Sequence, residues 1–257
     1  MTTNDIAERL LRAYVTREAI EPISSGPGVR TVDEAYAIQL AQVDRWRRDG
    51  RVVRGHKIGL TSAAMREQLG IDQPDYGHLF EDMFFTPGEP VPVGRFLQPR
   101  AEPEIAFVLS GDLAGPGLTV DDAAAAVGSV HAALEIIDSR IADWRIGLVD
   151  TIADNASSGG AVVAAEPLPV AATDLADVEC VFRVDGEVVA TGVGSDVSGT
   201  PLGALAWLAN RLGELGHRLE AGHVVLSGSL TKAAGISAGN VVTADFPSLG
   251  SVRATFA

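Results

Sequence analysis

The sequence predicts an α+β fold: a helical N-terminal segment over residues 1–50, followed by a mixed β core with flanking helices over residues 51–257. Three observations carry this. Apolar residues recur at helical spacing in the first fifty positions. From residue 51 the pattern changes to short β-type runs punctuated by glycine and proline. Those runs do not alternate regularly with helices, which argues against a doubly wound sheet or a (β/α)8 barrel. No linker-like tract divides the chain, so the two parts read as one compact unit.

The elements follow in order. Ile6, Leu10, Leu11 and Tyr14 mark one helix. Pro22, Gly26 and Pro27 interrupt it. Thr31 and Glu34 then form a capping box that opens a second helix running to Arg48. Strands are expected over Val52–Ile58, Ile105–Leu109, Ala132–Ile137 and Val178–Val184, the last turning at Asp185-Gly186 into a hairpin. Helices are expected at about Ser62–Leu69 and Asp121–Val127. A late helix has Thr200 as N-cap, Pro201 at its first position and Gly216 beyond its end. Strands at His223–Leu226, Val241–Phe246 and Ser251–Phe256 complete the chain.

Composition excludes several functions. The 257 residues include 34 acidic and 20 basic side chains, a formal charge of -14. A nucleic-acid binder needs a basic face, and an anionic membrane would repel this chain. No run is long and apolar enough to span a bilayer, and the N-terminus has no signal-peptide character, so a cytoplasmic protein is expected. Cys180 is the single cysteine, which rules out an intrachain disulfide. Gly235-Ile-Ser237-Ala-Gly239 matches a nucleophile-elbow pattern, but its strand-like run follows the serine instead of preceding it. The five histidines lack zinc-ligand spacing.

Carboxylates are the informative feature. Glu102 and Glu104 are two residues apart in an extended run and project to one face, around Pro103. Alone they are compatible with a solvated strand edge. Glu135 sits within Ala-Leu-Glu-Ile-Ile, where burial demands a partner, either an arginine or a cation. Together the three are a candidate all-oxygen site for Mg2+, Mn2+ or Ca2+. Among the 20 cationic residues only Lys57 and Lys232 are lysines. Lysine can exchange a proton where arginine cannot. Lys57 lies at the end of a β-type run between Gly55 and Gly59, and burial beside a cation is expected to lower its proton affinity. Asp75 and Tyr76, in Gln73-Pro-Asp75-Tyr76-Gly77, are further proton-handling candidates, and Leu79 can back an apolar part of a ligand. Asp150 to Gly160, containing Ser157, reads as a polar loop lining a pocket.

Five motifs together resemble the 2-keto-4-pentenoate hydratase / 4-oxalocrotonate decarboxylase family of the fumarylacetoacetate hydrolase superfamily. They are Gly55-His-Lys57-Ile-Gly-Leu-Thr-Ser62, Gln73-Pro-Asp-Tyr-Gly77, Glu102-Pro-Glu104, Leu134-Glu135-Ile-Ile-Asp-Ser-Arg140 and Ala153-Asp-Asn-Ala-Ser-Ser158, in order over nearly the whole chain. Ser227-Gly228-Ser229 departs from the Pro-Gly-Ser such a family would carry. The Pro-Asp-Tyr-Gly and Asp-Asn-Ala-Ser-Ser elements favour the hydratase branch. The resemblance implies Mg2+ or Mn2+ held by Glu102, Glu104 and Glu135, acid–base work by Lys57 and Asp75, and substrate contacts from Ser157, Ser229 and Leu79. It also implies hydration of 2-hydroxypenta-2,4-dienoate or an alkyl homologue to a 4-hydroxy-2-oxo acid, in meta-cleavage breakdown of aromatic compounds or sterols. A homo-oligomer is implied too, possible association with a pathway aldolase or decarboxylase being part of the same expectation. The alternatives are a 4-oxalocrotonate-type decarboxylase and a non-catalytic subunit of a pathway complex.

Overall fold

The computed structural model describes residues 2–26, 29–61, 73–170, 174–197 and 199–257. Two helices open the chain, α1 (Thr3–Thr16) and α2 (Val32–Arg48). The capping box expected at Thr31 is present: its hydroxyl accepts from the Glu34 N–H at 3.2 Å, and the Glu34 carboxylate accepts from the Thr31 N–H at 3.0 Å. The helix expected at Ser62–Leu69 lies outside the described residues.

The strands are β1 (Val53–Gly59), β2 (Asp75–Phe80), β3 (Phe84–Phe85), β4 (Arg100–Leu109), β5 (Val127–Ile137) and β6 (Ser158–Val163), then β7 (Glu179–Val184), β8 (Glu187–Val193), β9 (Val224–Ser229), β10 (Ala234–Gly235), β11 (Val241–Phe246) and β12 (Gly250–Thr255). Between them lie α3 (Val120–Ala126), α4 (Leu148–Ala153) and α5 (Pro201–Glu214). The main sheet runs β2-β1-β9-β4-β5-β6-β3, with β10 on β4. It is mixed: β1 with β9 and β3 with β6 are parallel, and the other pairs are antiparallel. A second sheet, β12-β11-β7-β8, packs against β5. The Asp185-Gly186 turn has positive φ at both residues, as a two-residue hairpin requires.

The helical N-terminal segment is tied to the core through its glutamines. Buried Gln39 donates to the carbonyls of Tyr76 (2.9 Å) and Ile152 (2.8 Å), and Gln42 donates to Ala153 O (2.7 Å). These amides satisfy backbone acceptors that would otherwise be buried without partners.

Two parts of the chain differ from the sequence expectation. β2 is a fully buried strand, although Asp-Tyr-Gly-His-Leu-Phe has no clean alternation of apolar and polar residues. Asp150 to Gly160 is not a loop open to a pocket. It comprises the end of α4, a turn at Asn155–Ser157 and the start of β6, and nearly all of it is buried. Its polar side chains are satisfied internally instead of by water. Asp150 accepts from Ser24 N (2.9 Å), Ser24 Oγ (2.7 Å) and Gly147 N (2.9 Å). Asp154 pairs with Arg140 at 2.6 Å, both fully buried, and Arg140 also donates to the carbonyls of Asp154 (2.8 Å) and Ser158 (3.1 Å).

Candidate active site

The carboxylate site is built on the β4–β5 ladder. Glu102 lies opposite Glu135, and Glu104 lies opposite Ala133 on one side and Ser229 of β9 on the other. Directly paired residues share a face, and so do residues two apart on one strand. All three carboxylates therefore project together, and one oxygen from each lies within 4.8 Å of the others. Glu102 is half-buried, whereas Glu104 and Glu135 are 1% and 0% exposed.

The same face carries Lys57 and Asp75. β1 pairs Lys57 with Gly77 and Gly59 with Asp75. Lys57 Nζ stands 3.3 Å from Glu135 Oε1. A side chain at Gly59 would collide with the Asp75 carboxylate, and one at Gly55 would collide with the backbone of Val224. The two glycines beside Lys57 thus permit the close approaches that its position needs. Below the charged groups, Leu79, Ala106, Ala133, Ala161 and Leu226 form one buried apolar cluster.

One ammonium faces four carboxylates here, which leaves negative charge unbalanced. Burial raises the Glu102 proton affinity to about 7, with the Glu135 charge adding to it. Burial also pushes Glu104 well above the usual carboxylate range, and Glu135 and Glu102 push it further. Glu135 is raised by burial, with Lys57 opposing. Asp75 is raised by burial, with Lys57 and Thr151 opposing. For Lys57 the protein's own charges act against burial. Burial does lower its proton affinity, but Glu135, Asp75, Glu102 and Glu104 outweigh that and hold it above the usual lysine value.

The oxygens match a hard divalent cation. Gly228 N–H donates to Glu104 Oε2 at 2.8 Å. Glu104 Oε1 and both Glu135 oxygens are buried without a directed hydrogen bond. Glu135 Oε1 has the Lys57 ammonium beside it, but Glu104 Oε1 and Glu135 Oε2 have no partner, and buried acceptors left so are costly. A divalent cation supplies both the missing charge and the missing contacts, and an all-carboxylate set suits Mg2+, Mn2+ or Ca2+ over softer metals.

The remaining sequence candidates divide. Ser157 joins the site through Thr151, whose hydroxyl donates to Asp75 Oδ2 at 3.3 Å and lies 3.5 Å from Ser157 Oγ. Ser229 sits beside Glu104 in register, but its hydroxyl donates to Thr231 O at 2.7 Å. Its neighbour Gly228 makes the contact to Glu104. Leu79 is 0% exposed, so it supports the floor and has no surface open to a ligand in this structure. Tyr76 lies on the opposite face of β2, stacked on Tyr36 with ring centroids 4.7 Å apart. Sequence reasoning missed Thr151, the Gly228 N–H and Asn155. Asn155 accepts from His78 N (2.8 Å) and donates to His78 O (2.9 Å), which docks the turn carrying Ser157 onto β2. An asparagine after an aspartate carried no spacing signal for that role.

Comparison with known proteins agrees with this geometry. The family model described as fumarylacetoacetate (FAA) hydrolase C-terminal matches residues 49–257. A 2-keto-4-pentenoate hydratase of Burkholderia vietnamiensis is 43% identical over 251 residues, covering 98% of this chain and 96% of the relative. A 2-oxo-hept-4-ene-1,7-dioate hydratase of Escherichia coli is 38% identical, covering 98% and 96%. The solved 4-oxalocrotonate decarboxylase from Pseudomonas putida G7, complexed with magnesium and adipate, superposes with a TM-score of 0.94 at 32% identity, covering 99% of this chain and 97% of that one. The chain belongs to the 2-keto-4-pentenoate hydratase family within the fumarylacetoacetate hydrolase superfamily.

Proposed function

We propose that this chain is a hydro-lyase that adds water to 2-hydroxypenta-2,4-dienoate, or an alkyl homologue, to give 4-hydroxy-2-oxopentanoate in meta-cleavage catabolism. One observation carries the reading: the carboxylate triad with Lys57 lies in a chain alignable end to end with 2-keto-4-pentenoate hydratases at 43% identity. Glu102, Glu104 and Glu135 would hold Mg2+ or Mn2+. Bound there, the cation would supply Lewis-acid chemistry toward a 2-oxo acid.

The chain's own residues do the rest. Conversion of the dienol delivers a proton to C5 and removes the one on the 2-hydroxyl; water then gives its hydroxide to C4 and releases a proton, and C3 takes one up as the 2-oxo group is restored. Lys57 holds a proton at Nζ on the face where the substrate binds, and it is the proton donor. The Asp75 carboxylate, its proton affinity raised by burial and held by the Thr151 hydroxyl, accepts the proton from the attacking water. Ser157 is placed by the same threonine to bind the substrate carboxylate or the water. The apolar floor under the triad excludes competing solvent. Ser229 shapes the β9 end that presents Gly228 to Glu104, and Leu79 backs the floor.

The test is an assay of the purified protein, with Mg2+ or Mn2+, for loss of dienoate and formation of the 4-hydroxy-2-oxo acid. No turnover with either metal would overturn the proposal. The decarboxylase structure favours a second reading, in which the same site releases carbon dioxide from a six-carbon 2-oxo dicarboxylate. Identity ranks it second, at 32% against 43%. Carbon dioxide release from 4-oxalocrotonate would separate the two. A homo-oligomer, association with a pathway aldolase or decarboxylase, and a cytoplasmic location complete the proposal. The family supports them. Among the described residues no helix is long and apolar enough to cross a membrane.

A further inference from the structure

A second constellation lies on the opposite face of β1 and β2. His56 pairs with His78 across the ladder, one position from the Lys57–Gly77 pair. Neighbouring positions on a strand project to opposite faces, so the two imidazoles point away from the carboxylate site. They line a cleft of about 1040 Å³ between the end of α2, the start of β1 and the C-terminal end of α5. Four of the chain's five histidines, at 56, 78, 217 and 223, line it, together with Arg47 and Arg218.

The chemistry of this cleft runs against that of the whole molecule. In a chain of net charge -14, its lining carries more cationic than acidic side chains, the acidic ones being Asp44 and Glu220. Arg218 is shared with Asp112 and Glu220 at 3.6 Å each, and the lining residue Arg51 is committed to Asp82 at 2.7 Å. Arg47 makes no ion pair among the described residues. At the bottom, His56 and His78 are 4% and 3% exposed, their rings 4.8 Å apart. Each has a buried Nδ1 with no hydrogen-bond partner. Buried polar atoms left unpaired in this way need an explanation. The histidines do not converge as metal ligands: among the described residues only the glutamate triad brings three ligand atoms together.

We propose that this cleft is a binding site for a small dianion, phosphate or dicarboxylate, separate from the carboxylate site. Imidazoles, a guanidinium outside any ion pair among the described residues and a concave polar wall are what such a ligand recognises. The local field is consistent with this. Burial and the surrounding Arg47 and His217 hold both imidazoles below their ordinary proton affinity, and a bound anion would cancel that field.

The experiment is calorimetric titration of the full chain with inorganic phosphate and, separately, with succinate, with imidazole resonances followed by NMR. The expected result is saturable binding of one or both probes, with shifts of the His56 and His78 signals. Arg47→Gln, an exposed substitution, should weaken binding by about tenfold or more, the worth of one charge-assisted contact. His56→Gln should weaken it independently. Glu135→Gln, at the other site, should leave it intact. Phosphate binding alone would identify a phosphate-bearing ligand, and succinate binding alone a dicarboxylate. No saturation by either probe into the millimolar range would overturn the proposal. So would binding abolished by Glu135→Gln but kept in Arg47→Gln. A change of molecular mass in Arg47→Gln by light scattering would also overturn it, since a second copy of the chain would then be what fills the cleft.

Discussion

Lys57 shows how a residue can be found by composition and then reinterpreted by its surroundings. Lysine is rare in this chain, and that rarity marked the position before any geometry was known. Four carboxylates favour its ammonium form, and a cation held by the glutamates would offset them and free that proton for transfer. Lys57→Arg should keep Mn2+ affinity by calorimetry yet lose turnover by roughly 10²–10⁴-fold, and Lys232→Arg should cost much less. Near-normal turnover in Lys57→Arg would transfer the proton step to Asp75. Replacing Glu102, Glu104 or Glu135 by glutamine should weaken Mg2+ or Mn2+ binding by about tenfold or more each, while circular dichroism stays unchanged. The glutamates were legible because spacing and the cost of burial both betray a carboxylate. Thr151 was not, since a hydroxyl that orients a neighbour leaves no pattern. His78 permits a pH prediction. Burial, then Arg47 and His217, hold it down to about 3, against 6.5 for an ordinary histidine. The unfolded chain therefore binds one more proton between those values. This group's contribution is complete above about pH 6.5 and is lost on acidification at about 1.4 kcal/mol per pH unit, down to about pH 3. Urea midpoints at pH 7 and 5 should fall less for His78→Gln than for the wild type.

At the scale of elements, the turn between α4 and β6 carries the strain. Asn155, Ala156 and Ser157 have φ of 53°, 51° and 53°, three consecutive non-glycine residues in the left-handed region. Each such residue costs on the order of 1–3 kcal/mol, so the surroundings must enforce the shape. Asn155 pins it to β2, and the Arg140–Asp154 pair pins its two ends. Arg140 is also covered by the Tyr14 ring, 4.1 Å from the guanidinium carbon. Arg140→Met leaves Asp154 buried without its partner and should cost about 3–5 kcal/mol in chemical denaturation. A loss under 1 kcal/mol would show that the turn holds itself. Helix caps such as Thr31 with Glu34 and the Asp185-Gly186 hairpin were readable because the signal is local. β2 and β6 were not. Their pattern is set by what covers them on both faces, and Gln39, Asn155 and Arg140 supply polar cover that hydrophobic periodicity does not encode.

For the whole molecule, the cation and the fold should be linked. A ligand that binds only the folded state stabilises it by about 2.7 kcal/mol at a concentration 100 times its Kd. Mg2+ or Mn2+ should therefore raise the melting temperature of the wild type and leave that of Glu135→Gln unmoved, as scanning calorimetry can record. Chelation should remove activity, and Mg2+ or Mn2+ should restore it better than Zn2+. Full activity after exhaustive EDTA treatment would show that the metal is dispensable. A further consequence follows from the pairing of Glu102 with Glu135 across β4 and β5. A slip of one residue in that ladder would turn one strand's carboxylates to the far side of the sheet. A misaligned sheet would then have no cluster for the ion to join, and would gain nothing from its presence. A cation held by the triad would in effect proofread strand alignment. Chains refolded in Mg2+ should be selected for the correct pairing, and those refolded in chelator should contain a larger share of slipped, inactive sheets that late addition of metal repairs only slowly.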